Sequence, residues 1–198
     1  MTGKKRHILN VFGYGCHIDS PLGWIYLPRV LRFINEVSED EDLNVVFYGG
    51  PTQQASAPGI TEAKLMHDWI WKHPDRRRTF YSILEDGSYT TYYNAKYAGM
   101  MLANLPEVDA QGHRYSSTRV TITCEATRSA NVIMLARYFM LKFVESIDDI
   151  AVETASWERA DPFKQVGNLI YNKLAITFPW LGLAEREQRK RICRAKTI

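Results

Sequence analysis

Three cysteines in 198 residues, Cys16, Cys124 and Cys193, are too few and too widely spaced for a disulfide framework or a short-spaced zinc site. They read as reduced thiols. Long apolar runs are missing too: no uninterrupted stretch nears the ~20 residues that cross a bilayer, and the basic segment Met1 to His7 leads into no signal-type apolar segment. This pattern assigns the chain to the cytoplasm, with no membrane partner. Neither sign of charge dominates, since 25 Lys and Arg stand against 22 Asp and Glu for a net +3, with the cations scattered except at the carboxyl end. Nucleic-acid binding is therefore not expected. His17, His67, His73 and His113 have no metal-ligand spacing, so no metal is expected. Gly13-Tyr14-Gly15 opens like a dinucleotide fingerprint, but Ile18 stands where the third glycine belongs, and no Walker-type Gly-Lys-Ser occurs.

What is present is 45% hydrophobic residues, enough for a full core in one domain, arranged in alternating periodicities. Strands are expected at His7–Phe12, Asn44–Tyr48, Thr79–Leu84, Arg119–Cys124 and Ile150–Thr154. Between them lie helical patterns. Trp24–Val37 becomes regular from Pro28, Glu62–His73 follows Thr61 as N-cap, Tyr89–Leu105 ends at Pro106, and Arg128–Val144 is long and amphipathic. The acidic run Ser38 to Asp42 reads as a solvated connection. Beyond Asp161 the pattern turns helical, with Phe163–Phe178, a break at Pro179-Trp180-Leu181-Gly182 and a basic last segment from Glu185 to Lys196.

Strands alternating with helices require crossover connections, so the fold class is α/β: a Rossmann-like, mainly parallel sheet with helices on both faces and a C-terminal helical extension. Residues 1–156 form the ligand-binding α/β domain and 157–198 an extension packed on it. In such sheets ligands sit beyond the carboxyl ends of the strands. Polar residues cluster there. Gly13, Gly15 and Cys16 follow the first strand; Gly49, Gly50 and Thr52 the second; Glu85, Ser88, Thr91 and Asn94 the third; and Arg128 the fourth.

These residues resemble the YdcF/SanA/ElyC family along most of residues 7 to 145. The carriers are Asn10-Val11-Phe12-Gly13-Tyr14-Gly15, Arg29, Val45-Val46-Phe47-Tyr48-Gly49-Gly50, Thr61-Glu62-Ala63 with Met66, and Glu85 through Ser88, Thr91 and Asn94-Ala95. After the fourth strand the family has a serine or threonine, then histidine and arginine. Here Thr123-Cys124-Glu125-Ala126-Thr127-Arg128 lacks the histidine and keeps the arginine after a shortened loop. Having no amino-terminal hydrophobic segment, the chain is similar to the soluble YdcF-like branch, for which the resemblance implies S-adenosylmethionine binding.

Each candidate has two readings. The glycines either admit ligand oxygens to backbone amides or simply turn the chain. Glu62 either complements a helix dipole or orients a ligand amine or hydroxyl. Glu85 is either a loop carboxylate or a base and ligand anchor. Ser88 and Thr91 are either caps or, with Asn94, cleft residues, and Arg128 either pairs at the surface or grips an anion. Cys16 and Cys124 read as small buried side chains rather than nucleophiles. The function expected is binding of an adenosyl or nucleotide-like small molecule. If there is turnover, group transfer or ester hydrolysis would use Glu85 and Arg128 as the catalytic pair; the alternatives are a non-catalytic sensor or interaction module, or a role in cell-envelope metabolism.

Overall fold

The structure, a computed structural model, describes residues 4–13, 22–52, 59–156 and 161–196. Five strands form one all-parallel sheet: β1 Lys5–Phe12, β2 Glu41–Tyr48, β3 Tyr81–Glu85, β4 Ser117–Glu125 and β5 Ile150–Ala155, in the order β3-β2-β1-β4-β5. This is the Rossmann-like α/β arrangement. β1 is central because its run from His7 is buried on both faces, as a parallel strand covered by helices must be. Its alternation splits the core. Leu9 and Val11 join α1 (Leu27–Glu36) and α2 (Glu62–Lys72), while Ile8 and Phe12 join α3 (Thr91–Asn104) and α4 (Ser129–Met140) on the opposite face.

The chain moves outward from β1 through β2 to β3, then crosses to the other side at β4. The strand order therefore reverses between β1 and β4, and the connections diverge there at the carboxyl edge. Gly99 lets the helices over this crossing pack closely, since a β-carbon on it would lie 2.5 Å from the Phe139 carbonyl oxygen of α4. The C-terminal extension comprises α5 (Pro162–Thr177), capped by the Asp161 carboxylate, and α6 (Leu183–Lys196). α5 packs on α4, and α6 packs on α5 and α3.

Several local expectations are corrected. The acidic run is not wholly a loop: Glu41 and Asp42 begin β2 opposite Lys5 and Arg6, and His7 bonds Glu41 at 3.1 Å and Thr121 at 2.8 Å. Burial pulls the His7 pKa below its ordinary value, so in this contact a neutral imidazole donates its Nδ1–H to the Glu41 carboxylate. The cap of α3 is Thr90, whose hydroxyl accepts from the Tyr93 amide, rather than Ser88 or Thr91. α4 ends at Met140 with a 3-10 turn beyond it, and Ile133 faces outward while Asn131 and Leu135 face in. β3 ends on Glu85, so that carboxylate belongs to the strand rather than to the loop.

Candidate functional site

Hydrogen bonds link the sequence clusters along the carboxyl edge of the sheet. The Gly13 amide donates to the Tyr48 carbonyl at 2.9 Å, Gly49 to the Glu85 carbonyl at 3.0 Å and Gly50 to the Ser88 carbonyl at 2.7 Å. Arg128 donates to the Gly13 carbonyl at 3.1 Å and to the Thr91 hydroxyl. Gly50, Glu85 and Arg128 thus share one edge. Gly15 and Cys16 lie outside the described residues.

The three glycine amides serve the backbone, which removes them as donors for a ligand anion. The glycines instead admit close neighbours. A β-carbon on Gly49 would fall 2.6 Å from the Glu62 Cβ, and one on Gly50 would fall 2.9 Å from the Asp86 carbonyl oxygen. Glu62, buried at the start of α2, accepts from the Thr52 hydroxyl, while its amide donates to the Gly50 carbonyl at 3.2 Å. Thr52, Glu62 and the glycines therefore form one packed corner, tying α2 to the ends of β1 and β2.

On the α3 side of the sheet the arrangement is different. Glu85 Oε1 accepts from the Gly87 amide at 2.9 Å, but Glu85 Oε2 is buried and has no hydrogen-bond partner among the described residues. The same holds for Ser88 Oγ, Asn94 Oδ1 and Asn10 Nδ2. Tyr48 connects part of this group, because its hydroxyl donates to Asn10 Oδ1 at 3.0 Å and its ionisation is opposed by the nearby Glu85 charge as well as by burial. Buried polar atoms are nearly always paired, so four exceptions on one side of a strand-end region single it out as the candidate site.

Desolvation pushes the Glu85 carboxyl above its ordinary value of 4.5. Ser88, close by but without a well-formed hydrogen bond to it, and the Gly87 amide oppose that shift only in part. Because the fold favours the protonated acid, its stabilising contribution is complete below about pH 4.5 and is lost as pH rises through the higher folded value. Glu85→Gln, which keeps the neutral shape, should therefore melt above the parent at pH 8. At pH 4 the two should melt together. An equal difference at both pH values in a calorimetric comparison would rule out this titration.

Arg128 ends the short turn between β4 and α4 and is 5% exposed. It is no surface cation. Beside it the Tyr26 hydroxyl donates within the β1–β4 crevice, 2.7 Å from the Thr123 carbonyl and 3.0 Å from the Phe12 carbonyl, and Glu125 accepts from the Thr127 amide at 2.9 Å. Burial raises the Cys124 thiol to about 12, so it stays protonated and a poor nucleophile. A cavity of about 170 Å³ opens beyond Tyr26, lined by Arg29, Thr123 and Glu153 among others. It is smaller than the ~300 Å³ at which ligand pockets begin.

Sequence reasoning missed Asn10, Tyr26, Glu125 and Gln188 as participants. Asn10 left a signal, a lone amide inside an otherwise apolar run of β1. Gln188 left none: it sits in the basic α6, yet its amide donates to the Gly87 carbonyl at 2.7 Å and accepts from the Tyr89 amide at 3.2 Å, holding the β3–α3 loop. A further polar chain runs from Ser82 to His67 at 3.2 Å and from His67 to Asp68 at 3.1 Å. It has the order of a nucleophile, base and acid. However, Asp68 also pairs with Lys64 at 2.5 Å, and Ser82 lies within β3 opposite Val45, away from the strand ends.

Among the described residues no three His, Cys, Asp or Glu side chains gather as a metal site, and no described helix is long and apolar enough to cross a membrane. No protein family model matches the chain, and neither a curated protein nor a solved structure matches it significantly.

Proposed function

We propose that this protein binds a small ligand rich in hydrogen-bond donors, of the adenosyl or nucleoside class, at the carboxyl edge of its sheet near Glu85. S-adenosylmethionine is the compound to try first. The observation that carries the reading is the buried Glu85 Oε2 and Asn94 Oδ1 on the same side of the sheet, neither with a well-formed hydrogen bond among the described residues, with Ser88 close to Glu85. Carboxylate and amide oxygens accept hydrogen bonds, so ribose hydroxyls or an amino group complement them better than a phosphate does. The likeness of Glu85, Ser88, Thr91 and Asn94 to the YdcF-like pattern supports the same class.

The chemistry supports binding before turnover. Cys124 is held protonated, and the Arg128 guanidinium already serves Gly13 and Thr91. These two facts favour a sensor-like role over group transfer or ester hydrolysis.

Calorimetric titration with S-adenosylmethionine, S-adenosylhomocysteine and ATP tests the reading. One adenosyl ligand per chain is expected, and Glu85→Ala should weaken it by about tenfold or more, the ~1.4 kcal/mol of one good buried hydrogen bond. Failure of every adenosyl compound to bind the parent protein would discard the ligand class. Binding unaltered by Glu85→Ala and by Asn94→Ala would discard the cleft. Mass spectrometry of the incubated ligand then separates sensor from enzyme, because only an enzyme returns a changed ligand.

A further inference from the structure

α5 is folded with its polarity reversed. Towards α4 it buries Gln165 and Asn172, the latter donating to the Asn131 side chain at 3.1 Å, with Ala175 buried and Ile176 partly buried against the core. Outward it presents Phe163, Val166, Ile170 and Leu174, and Phe178 continues the line one turn later. These positions recur every three or four residues, so they form one stripe along the helix. Phe163 is 87% exposed, Ile170 56% and the neighbouring Trp180 75%, with Phe178 and Trp180 in edge contact at 5.4 Å. A helix docked for its own domain's benefit would face the other way.

Size separates this stripe from ordinary scattered surface hydrophobics. At ~200 Å² per aromatic ring, Phe163, Phe178 and Trp180 alone expose roughly 400 Å². Val166, Ile170, Leu174 and Leu181, each about half exposed, bring the patch towards the ~800 Å² that each partner contributes to a standard protein interface. The largest apolar patch of a typical monomer is smaller, at ~300–600 Å².

We propose that this face of α5 is a two-fold interface between two copies of the chain. The stripe is self-complementary when two α5 helices run antiparallel about an axis between Ile170 and Tyr171. Phe163 then lies opposite Phe178 of the second copy, and Leu174 lies opposite Gly167. Gly167 is the telling residue. It sits mid-helix, where glycine costs ~1 kcal/mol relative to alanine, and a β-carbon on it would meet nothing within 4 Å in its own chain. Its smallness serves no contact within the chain, but it leaves the hole that Leu174 of a second copy fills. At 1.5 Å per residue the same register sets each Lys164 beside Thr177 and ~20 Å along the axis from its equivalent, so those cations do not oppose each other. Residue i meeting j while j meets i is the signature of a closed two-fold contact. The interface is independent of the ligand reading at Glu85.

Sedimentation velocity at micromolar concentration tests it on the full chain. The parent should sediment at twice 22.9 kDa. Ile170→Glu, which places two carboxylates near the axis, should raise the dimer dissociation constant on the order of 100-fold or more and leave the far-ultraviolet circular dichroism spectrum unchanged. Gly167→Phe is the discriminating variant. It enlarges the apolar surface and improves the helix, yet it fills the hole and should also give monomer. A monomeric parent, a dimeric Ile170→Glu, or a Gly167→Phe that associates more tightly would each overturn the proposal. So would a monomeric parent that binds anionic phospholipid vesicles through this stripe, because the partner would then be a lipid surface.

Discussion

Replacement of Gly49 by alanine should cost about 3–5 kcal/mol, a large part of the ~5–15 kcal/mol that holds a domain folded. Two effects act together. Gly49 has φ 151°, a conformation that residues with side chains rarely adopt, and the new β-carbon would lie 2.6 Å from the Glu62 Cβ. That atom is the root of a side chain, so it cannot swing away, and the backbone cannot shift cheaply. The Gly49 amide is tied to the Glu85 carbonyl at 3.0 Å, and its carbonyl to the Ala63 amide at 3.0 Å. Gly112→Ala is the matched control. Gly112 also has positive φ, 82°, but faces open space, so it should cost only ~1 kcal/mol. Urea unfolding midpoints measure both, and equal small losses would mean that the α2 corner is looser than the packing of Glu62 implies.

Arg128→Ala should lower stability by about 2–4 kcal/mol and the melting temperature by roughly 6–12 °C. The loss comes from leaving the buried Gly13 carbonyl and Thr91 hydroxyl without their charged donor and from emptying the space of a guanidinium that is 5% exposed. Arg128→Lys should fall between, since an ammonium on a single stem does not reproduce the fork that reaches two acceptors. Ligand affinity should fall with it, because the strut fixes the end of β1 against the first turn of α3, which carries Asn94. An Arg128→Ala protein that unfolds at the parent's urea midpoint would show that the guanidinium supports nothing. If that equally stable protein also loses the ligand, Arg128 is a binding group rather than a strut.

Much of the fold was legible in the chain because parallel strands buried on both faces leave long apolar runs. His7–Phe12, Asn44–Tyr48 and Arg119–Cys124 all fall within strands, whose ends extend by a few residues into polar sequence. Those extensions were illegible for a physical reason: Glu41 and Asp42 look like solvated acids until Lys5, Arg6 and His7 are brought alongside them by strand pairing. The candidate site was half legible. Glycine turns, Glu85 and Arg128 were identifiable by residue type and position, yet their partners were not. Glycines read as openings for ligand oxygens are filled by Glu62 and the loop after β3, and the cap of α3 lies at Thr90, one residue before Thr91.

The sequence by itself determined the class of fold, the alternation of strand and helix, and the gathering of polar residues beyond the strand ends, because periodicity and turn chemistry are local properties. Only the tertiary structure decided the strand order that opens the crevice between β1 and β4, the burial of Arg128 as a strut, and the four unpaired polar atoms around Glu85 and Asn10. It also decided that α5 turns its apolar side outward. A helix's pattern says which residues share a face, but only packing against the rest of the chain determines which way that face points.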